Sequence, residues 1–487
     1  MYKPIKIQIV SRGLPKNTTH HSIKILIISR NVPFENIDGS NAYMLDFLRY
    51  LQQAGCEIEY VWLESLPGKQ FPWFVIPSPL RTLANVQVRN NRRFGRVLLR
   101  FNSLSDWVKA PLRLIYYQLP QHVRSIYISQ ITKLLRKIFL SAITRQKQSH
   151  EQQATTTITS VPNWRELLAT PKEIAFAKTQ VDRFKPDVVV VNYAYLANIL
   201  DTLSPHERIL KVILTHDVFH QRNIHLKKIG VALAEGDWDW EKESEQLRKA
   251  QVLLAIQKED AKVFKEMAPK CEVICMLKSA VCHSHTVKQV PGRCLFVGSG
   301  AQHNHYSLQW FLENVWQILI QLIPDCSLHV CGSVCDRIKG TFPNVHFLGM
   351  LEDLEPEYSA AQVCLVPLLV GSGLKIKLVE AMSYGRACVS TSVGVQGLPE
   401  IAGKTALVAD TAQDFAAAVH KLLTDADKRQ SMEEEAYRYV NEKLSPKAAY
   451  QPFVDYIHQH LQQVQSKLEI VDFEETVDLS KVISSKQ

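Results

Sequence analysis

The stretch 367–399 combines a glycine-rich loop with a predicted helix, an arrangement that suits binding of a diphosphate. Gly371 and Gly373 lie in the loop, where glycine lets the backbone approach a ligand closely. The helix begins near Leu374, and its N-terminus presents free N–H groups and the positive end of the helix dipole. These groups would face an anion at the end of the preceding strand.

The same helix carries two cations and one carboxylate. Lys375 and Lys377 add positive charge near its start, and Glu380 follows within the helix. A carboxylate next to a diphosphate site could hold a sugar hydroxyl or a ribose by accepting hydrogen bonds. The alternative interpretation is a structural strand–helix turn with lysines that face solvent.

Two further glycine turns follow predicted strands. Phe296–Gly300 reads FVGSG and includes Gly298 and Ser299, and Val345–Gly349 reads VHFLG and ends at Gly349. Parallel strands bring their carboxyl ends to one edge of a sheet. We therefore expect the three turns to converge on one ligand.

Strand and helix patterns alternate twice along the chain. The nearly continuous apolar run Ile23–Ser29 is typical of a buried parallel strand, and Asn41–Ala54 has helical spacing. The alternation predicts an α/β protein with two doubly wound, Rossmann-like parallel-sheet domains that face a central cleft. The expected parts are an extension (1–22), an N-terminal domain (23–277) with a basic insertion (about 66–165), a linker (278–292), a C-terminal domain (293–445), a closing helix (446–466) and a tail (467–487).

Composition and length fit this organisation. The 487 residues are 46% hydrophobic and 22% charged, as in globular proteins, and exceed the size of a single core. We find no apolar stretch of the ~20 residues that a membrane span needs, and no secretory signal pattern. The ten cysteines show no Cys-x-x-Cys pair, so we expect reduced thiols and a cytoplasmic protein.

One segment makes the chain basic. The net charge is +9, yet residues 71–150 contain fourteen lysines and arginines against a single acid, Asp106. Elsewhere 43 basic residues face 47 acidic ones. The excess charge is therefore a property of this segment and not of the predicted ligand-binding domains.

The basic segment has three interpretations. Residues 125–144 predict an amphipathic helix with Lys133, Arg136 and Lys137 on its polar side. Such a helix could lie on an anionic membrane surface, which would make the protein peripheral to a membrane. The segment could instead form an acceptor-binding subdomain, or be a solvated cationic insertion. We find no nucleic-acid motif and expect no nucleic-acid partner.

The C-terminal half resembles the nucleotide-sugar domain of GT-B glycosyltransferases, and specifically the retaining group called glycosyltransferase family four. The resemblance covers about residues 290–440 strongly and the N-terminal domain more weakly, through 25–40 and 215–260. The matching pieces are FVGSG (296–300), HVCG (329–332), VHFLG (345–349), YSAAQVCLVP (358–367), GSGLKIKLVEAMSYG (371–385) and Gly394 with 397–399.

The resemblance implies roles for individual residues. Glu380 resembles the glutamate that binds the donor ribose, and His216 resembles a histidine that lines the catalytic cleft. We expect His216 and Lys377 to act in catalysis. The residues expected to bind the nucleotide-sugar donor are Gly39, Ser40, Gly298, Ser299, Gly349, Ser372, Gly373, Leu374, Lys375 and Glu380.

Two departures from the family pattern concern charge. A second glutamate eight positions before Glu380 is common in the family, and Ser372 stands there. The family also often carries an arginine and a lysine after the FVG strand, where this chain reads AQHNHYSLQ. We hypothesise that Lys375 and Lys377 substitute for that pair.

The resemblance implies sugar transfer with retention of configuration, without a metal ion or a cofactor beyond the donor substrate. Asp237 and Asp239 form an Asp-x-Asp pattern, which we interpret as helix capping rather than a metal site. We interpret His303 and His305 as loop residues. The expected partners are a nucleotide-sugar donor and a glycan or lipid-linked acceptor, as in polysaccharide biosynthesis. A non-catalytic nucleotide-sugar-binding module and an epimerase on the same fold are the alternatives.

Overall fold

The structure is a computed structural model. It describes residues 22–34, 39–63, 73–89, 92–99, 163–203, 208–228, 236–284, 287–371 and 374–484. The stretch 125–144 and most of the basic segment lie outside these residues, and its three interpretations stay predictions. In the described part, no helix combines the length and apolarity required to cross a membrane.

The N-terminal half contains a parallel sheet. The strands are β1 (Lys24–Ser29), β2 (Glu57–Trp62), β3 (Trp73–Val75), β4 (Asn85–Val88), β5 (Arg92–Phe94), β6 (Val97–Leu99), β7 (Val188–Asn192), β8 (Leu210–Leu214), β9 (Val252–Ala255) and β10 (Glu272–Cys275). The sheet has the order β10-β9-β8-β7-β1-β2-β4, with parallel pairing throughout. Strands β3, β6 and β5 form a small antiparallel sheet beside it.

Strand β1 shows why this sheet is covered on both faces. Ile25 and Ile27 belong to one buried cluster, and Leu26 and Ile28 belong to another on the opposite face. Because side chains alternate along a strand, a continuous apolar run supplies both layers of core. The apolar run in the sequence therefore predicts the central position of this strand.

Helices cover both faces. The helices are α1 (Gly39–Gln53), α2 (Ser78–Leu83), α3 (Pro171–Phe184), α4 (Phe219–Lys228), α5 (Trp240–Leu247) and α6 (Lys258–Met267). Helix α3 begins with a capping box between Thr170 and Glu173. Asp239 caps α5 by accepting a hydrogen bond from the Lys242 backbone N–H, as the capping interpretation predicted.

The C-terminal half contains a second parallel sheet. Its strands are β11 (Arg293–Val297), β12 (Ser327–Cys331), β13 (Val345–Gly349), β14 (Val363–Val366), β15 (Ala387–Ser390) and β16 (Ala406–Val408). Their order is β13-β12-β11-β14-β15-β16. The order reverses direction between β11 and β14, and ligands of such sheets bind at this kind of switch point. Two Rossmann-like parallel sheets confirm the predicted fold class.

The helices of this half are α7 (Gln302–Trp310), α8 (Trp316–Leu322), α9 (Glu355–Ala360), α10 (Ile376–Ser383), α11 (Ala412–Thr424), α12 (Ala426–Tyr439) and α13 (Pro446–Ser484). A π-helical segment, Phe311–Val315, joins α7 to α8. The apolar spacing in the sequence predicts a helix over residues 307–322 only. Helix α7 begins at Gln302, so the interpretation of His303 and His305 as loop residues was wrong.

The last helix returns to the N-terminal sheet. Tyr450, Phe453 and Ile457 of α13 are buried in the cluster that contains Ile25 and Ile27. The helix continues to Ser484, past residue 466, where the sequence pattern placed its end. Helix α13 thus connects the C-terminal half to the core of the N-terminal half.

Two glycine turns of the C-terminal sheet touch each other. Gly332 follows β12 with φ 100°, and a Cβ atom there would lie 2.2 Å from the carbonyl oxygen of Gly298, which follows β11. Only glycine avoids both the backbone strain and the clash. This contact fixes the relative positions of the two turns.

We predict that Gly332→Ala lowers the thermal stability of the protein. The positive φ costs about 1–2 kcal/mol and overpacking against Gly298 about 1–3 kcal/mol more. Gly340→Ala is the matched control, because its φ is 107° but the nearest atom to a new Cβ lies 3.7 Å away. Equal melting temperatures for the two variants in calorimetry would contradict the prediction.

Candidate functional site

The carboxyl edges of the two sheets face each other across a cavity of about 290 Å³. The N-terminal half lines it after β8 and β9, and the C-terminal half lines it after β15. The lining residues are Asp217, Val218, Gln221, Gln257, Glu259, Asp260, Ser392, Val395, Gln396, Gly397 and Pro399. Both halves contribute to one cleft, as the predicted architecture requires.

His216 lies at the N-terminal wall of this cleft, directly before the cavity residue Asp217. Its Nε2 is 2.8 Å from the Asn192 side-chain oxygen, and its ring packs against Tyr193 at a centroid distance of 4.3 Å. Asn192 in turn donates to the Ser29 hydroxyl at the end of β1. His216 is 9% exposed, and these contacts set the orientation of its ring.

The start of α1 lies near His216. Gly39 is the first residue of α1, and Ser40 lines a small cavity together with His216 and Asn192. The structure therefore brings together three predicted residues of the N-terminal half. The helix start directs backbone N–H groups toward the same region.

Lys375 is the N-cap residue of α10 and is buried, with 6% of its surface exposed. Its ammonium donates to the Gln396 side-chain oxygen at 3.4 Å. Burial lowers the pKa of Lys375 to about 8, against the attraction of Asp260. Because Gln396 lines the cleft cavity, Lys375 lies at its C-terminal wall.

Lys377 lies in the first turn of α10 and is held by two contacts. Its ammonium donates to the Asn304 side-chain oxygen at 2.6 Å and stands 4.6 Å from the centre of the Phe296 ring. Shielding from water lowers the pKa of Lys377 to about 7, with repulsion from Lys375 acting in the same direction and Glu380 opposing it. The two lysines form a cationic group at one helix start.

Glu380 accepts a hydrogen bond from the Tyr358 hydroxyl at 3.2 Å. Shielding from water raises the pKa of Glu380, while Tyr358, Lys278 and Lys377 lower it. Lys278 follows β10 and pairs with Asp46 of α1. A cation from the segment between the two sheets thus lies near the carboxylate of α10.

The remaining predicted donor residues lie in the turns of the C-terminal sheet. Gly298 donates to the Cys331 carbonyl, and the Ser299 hydroxyl and carbonyl oxygens accept from Asn304. Gly349 ends β13 with φ 69°, and its carbonyl accepts from the Gly332 N–H. Leu374 is buried against Gly397.

Ser372 and Gly373 lie outside the described residues, and their roles stay predictions. The other predicted site residues lie at the N-terminal wall of the cleft, at the start of α10 or in the turns after β11 and β13.

Two polar residues of the cleft were not predicted as site residues: Asp260 in α6, and Gln257 directly before this helix. Asp260 is 5% exposed, and burial raises the pKa of Asp260 to about 7. Gln257 donates to the Asp260 carboxylate at 2.5 Å. Two oxygens in this pair, Oδ2 of Asp260 and Oε1 of Gln257, accept no hydrogen bond within the described structure. In the sequence, Asp260 together with Glu259 resembles a family signature but was interpreted as capping and flanking a helix.

Asn304 was missed as well, and it contacts Ser299 and Lys377 at once. Its signal in the sequence was confined to its place after the FVGSG turn, where the family pattern has cations.

Among the residues that the structure describes, no three His, Cys, Asp or Glu side chains lie close enough together to bind a metal ion. Each of the ten cysteines is a free thiol.

Comparison with known proteins identifies part of the chain. Residues 291–425 match the family model Glycosyl transferases group 1. An uncharacterized 44.6 kDa protein in the cps region of Klebsiella pneumoniae is 24% identical over 168 residues, or 32% of this chain. The match spans 43% of that relative, which is less than half of its length.

Solved structures show the same architecture over nearly the whole chain. Sucrose-phosphate synthase from Thermosynechococcus elongatus is 14% identical and covers 91% of this chain and 100% of its own, with a TM-score of 0.55. HepE from Anabaena, solved in complex with UDP, is 11% identical and covers 90% of this chain and 100% of its own, with a TM-score of 0.54. Residues 291–425 are therefore similar to glycosyl transferases group 1, and the chain as a whole has the two-sheet GT-B fold.

Proposed function

We propose that the chain is a glycosyltransferase that moves a sugar from a nucleotide-sugar donor to a glycan or lipid-linked acceptor. The transfer retains the configuration of the sugar and uses no metal ion. The observation that carries the proposal is the helix α10 of the group 1 domain. It begins at the cleft with Lys375 and Lys377 and carries Glu380 one turn later.

The donor diphosphate binds at the start of α10. Free N–H groups of the first turn and the two lysine ammonium groups neutralise its charge, so a metal ion is not required for that task. HepE was solved with UDP, a nucleoside diphosphate of the kind that such a donor would release. This supports a nucleotide sugar as the donor of the present chain, with the base left to experiment.

Glu380 binds the donor ribose. A carboxylate accepts hydrogen bonds from two neighbouring hydroxyls, and the Tyr358 hydroxyl holds its Oε2 in place. Lys278 and Lys377 favour the charged form of Glu380, as an acceptor of hydrogen bonds must be. The turns after β11 and β13 face the rest of the nucleotide.

The transfer step exchanges one bond at the anomeric carbon. The bond to the diphosphate oxygen breaks, the acceptor oxygen bonds to the same face of the sugar, and its proton passes to the departing phosphate. The protein then has to position the reactants and stabilise the negative charge on the diphosphate. Lys377 supplies this stabilisation, and His216 orients the sugar from the opposite wall.

The acceptor enters from the N-terminal side of the cleft. The basic segment 71–150 supplies contacts to a glycan or lipid-linked acceptor, at an anionic membrane surface if the amphipathic interpretation of 125–144 holds. Neutralising Lys133, Arg136 and Lys137 together, followed by vesicle sedimentation, separates the membrane interpretation from the others.

A thermal-shift panel of nucleotide sugars tests the proposal. A donor at about 100 times its Kd should stabilise the fold by about 2.7 kcal/mol. Product analysis with the best donor and a panel of saccharide acceptors then measures transfer. No shift with any nucleotide sugar would contradict the donor assignment, and binding without turnover would favour a non-catalytic module. Isomerisation of the donor without acceptor would indicate an epimerase.

We predict that Lys377→Ala lowers kcat/KM for the donor about 10- to 100-fold, because a charge-assisted contact to phosphate contributes about 1.5–3 kcal/mol. Steady-state kinetics with the donor from the panel measures the change. Lys404→Ala is the control, since Lys404 is exposed on the same half of the chain. Unchanged kinetics for Lys377→Ala would show that this lysine does not meet the donor.

We predict that donor kcat/KM falls as the pH rises above 7. The pKa of Lys377 is lowered to about 7 and that of Lys375 to about 8, so both ammonium groups lose their charge over this range in the free protein. The bound diphosphate requires the charged forms. A pH–rate profile from 6 to 9.5 measures the effect, and Lys377→Arg should reduce the fall because arginine stays protonated. A flat profile for the unmodified protein would contradict the assignment.

A further inference from the structure

The buried side chain of Asn304 connects two parts of the site. It lies in the first turn of α7 and is 3% exposed. Its Nδ2 donates to the Ser299 carbonyl at 3.0 Å and to the Ser299 hydroxyl at 3.1 Å. Its Oδ1 accepts from the Lys377 ammonium at 2.6 Å. One amide therefore joins the turn after β11 to the start of α10.

This contact restricts Lys377. A lysine side chain is flexible, and fixing it in one conformation costs up to about 2 kcal/mol of rotamer entropy. Asn304 and the Phe296 ring hold the ammonium before any ligand arrives. A ligand that meets a fixed ammonium avoids that part of the ordering cost.

The chemical type of the group that contacts Lys377 is as important as its position. A side-chain amide accepts the hydrogen bond without carrying a charge, so the positive charge of Lys377 stays available for an anion. A carboxylate at the same place would form an ion pair and compete with a phosphate for the ammonium.

We propose that Asn304 is the positioning residue for Lys377, holding its ammonium where the donor diphosphate binds and fixing the Phe296–Gly300 turn against α10. The inference rests on the proposed function, because it takes the diphosphate as the group that Lys377 meets. Asn304 itself acts through the lysine and the turn. It occupies the segment where the family pattern places cations, and it contributes by placing a cation from another helix.

The titratable groups near Lys377 lie on two helices, α10 and α7. Glu380 follows on α10 and favours the charged lysine, and Lys375 at the start of α10 disfavours it. His303 on α7 lies near both lysines, and shielding from water together with their charges lowers the pKa of His303 to about 4. His303 is therefore neutral near pH 7, and the amide of Asn304 faces a lysine surrounded by few compensating charges.

A double-mutant cycle tests the coupling with inorganic pyrophosphate, which carries the diphosphate without base or sugar. In calorimetry, Asn304→Ala should weaken pyrophosphate binding about 3- to 10-fold, as expected for the loss of one hydrogen bond. In the Lys377→Ala background, Asn304→Ala should cause no further loss. Asn314→Ala is the control, because Asn314 is exposed and its amide only contacts the Trp310 carbonyl.

The titration of Lys377 gives a second measurement that a purely structural role would not move. Spectra of protein labelled with carbon-13 at the lysine ε-carbon report each ammonium, and Lys377→Ala identifies the signal. The titration midpoint should be lowest in Asn304→Ala, higher in the unmodified protein and highest in Asn304→Asp. Asn304→Asp keeps the side-chain volume, so its shift decides the question if Asn304→Ala does not fold.

The outcomes separate this inference from the proposed function. If the unmodified protein binds pyrophosphate but the cycle is additive and the titration midpoints coincide, only the role of Asn304 is overturned. If the unmodified protein does not bind pyrophosphate at all, the donor assignment fails and the inference fails with it. Loss of coupling in the double variant and the stated order of midpoints would support the inference.

Discussion

The shielding of two lysines from water at one helix start is the constraint on which the rest of the candidate site depends. Lys375 and Lys377 lie near the positive end of α10, and each is partly removed from water. Like charges that are shielded from solvent repel each other, and the helix dipole adds to this cost. An anion bound beside them, as proposed for the donor diphosphate, would offset this repulsion.

The surroundings reduce this cost without removing the charge. Asn304 and Gln396 accept hydrogen bonds from the ammonium groups as neutral amides, and the Phe296 ring offers its electron-rich face. The carboxylates act at longer range, Glu380 on Lys377 and Asp260 on Lys375. Asp260 belongs to the other half of the chain, so the charge balance of the site includes both walls of the cleft.

The fold could be predicted because each strand corresponds to a short, contiguous pattern in the sequence. A parallel strand buried on both faces, such as β1, appears in the sequence as a continuous apolar run, and a helix such as α3 shows both apolar spacing and a capping box. The start of α7 was missed because Gln302–His305 carries no apolar periodicity. Lys375, Lys377 and Glu380 were predicted as site residues from one glycine-rich stretch. The hydrogen-bond partner of Lys377 was not predicted, because Asn304 lies 73 residues away in sequence.

The absence of the arginine and lysine after the FVG strand now has a physical interpretation. The segment that follows β11 begins α7, and there His303 is neutral near pH 7 while Asn304 contacts Lys377. Further cations at these positions would face two lysines whose pKa values are already lowered by burial, and repulsion from Lys375 lowers the pKa of Lys377 further. Because the positive charge is on α10, neutral residues such as His303 and Asn304 at the start of α7 avoid adding to the repulsion. What a diphosphate site requires is a fixed positive potential at one place, and the same potential can be built from different elements of the sheet.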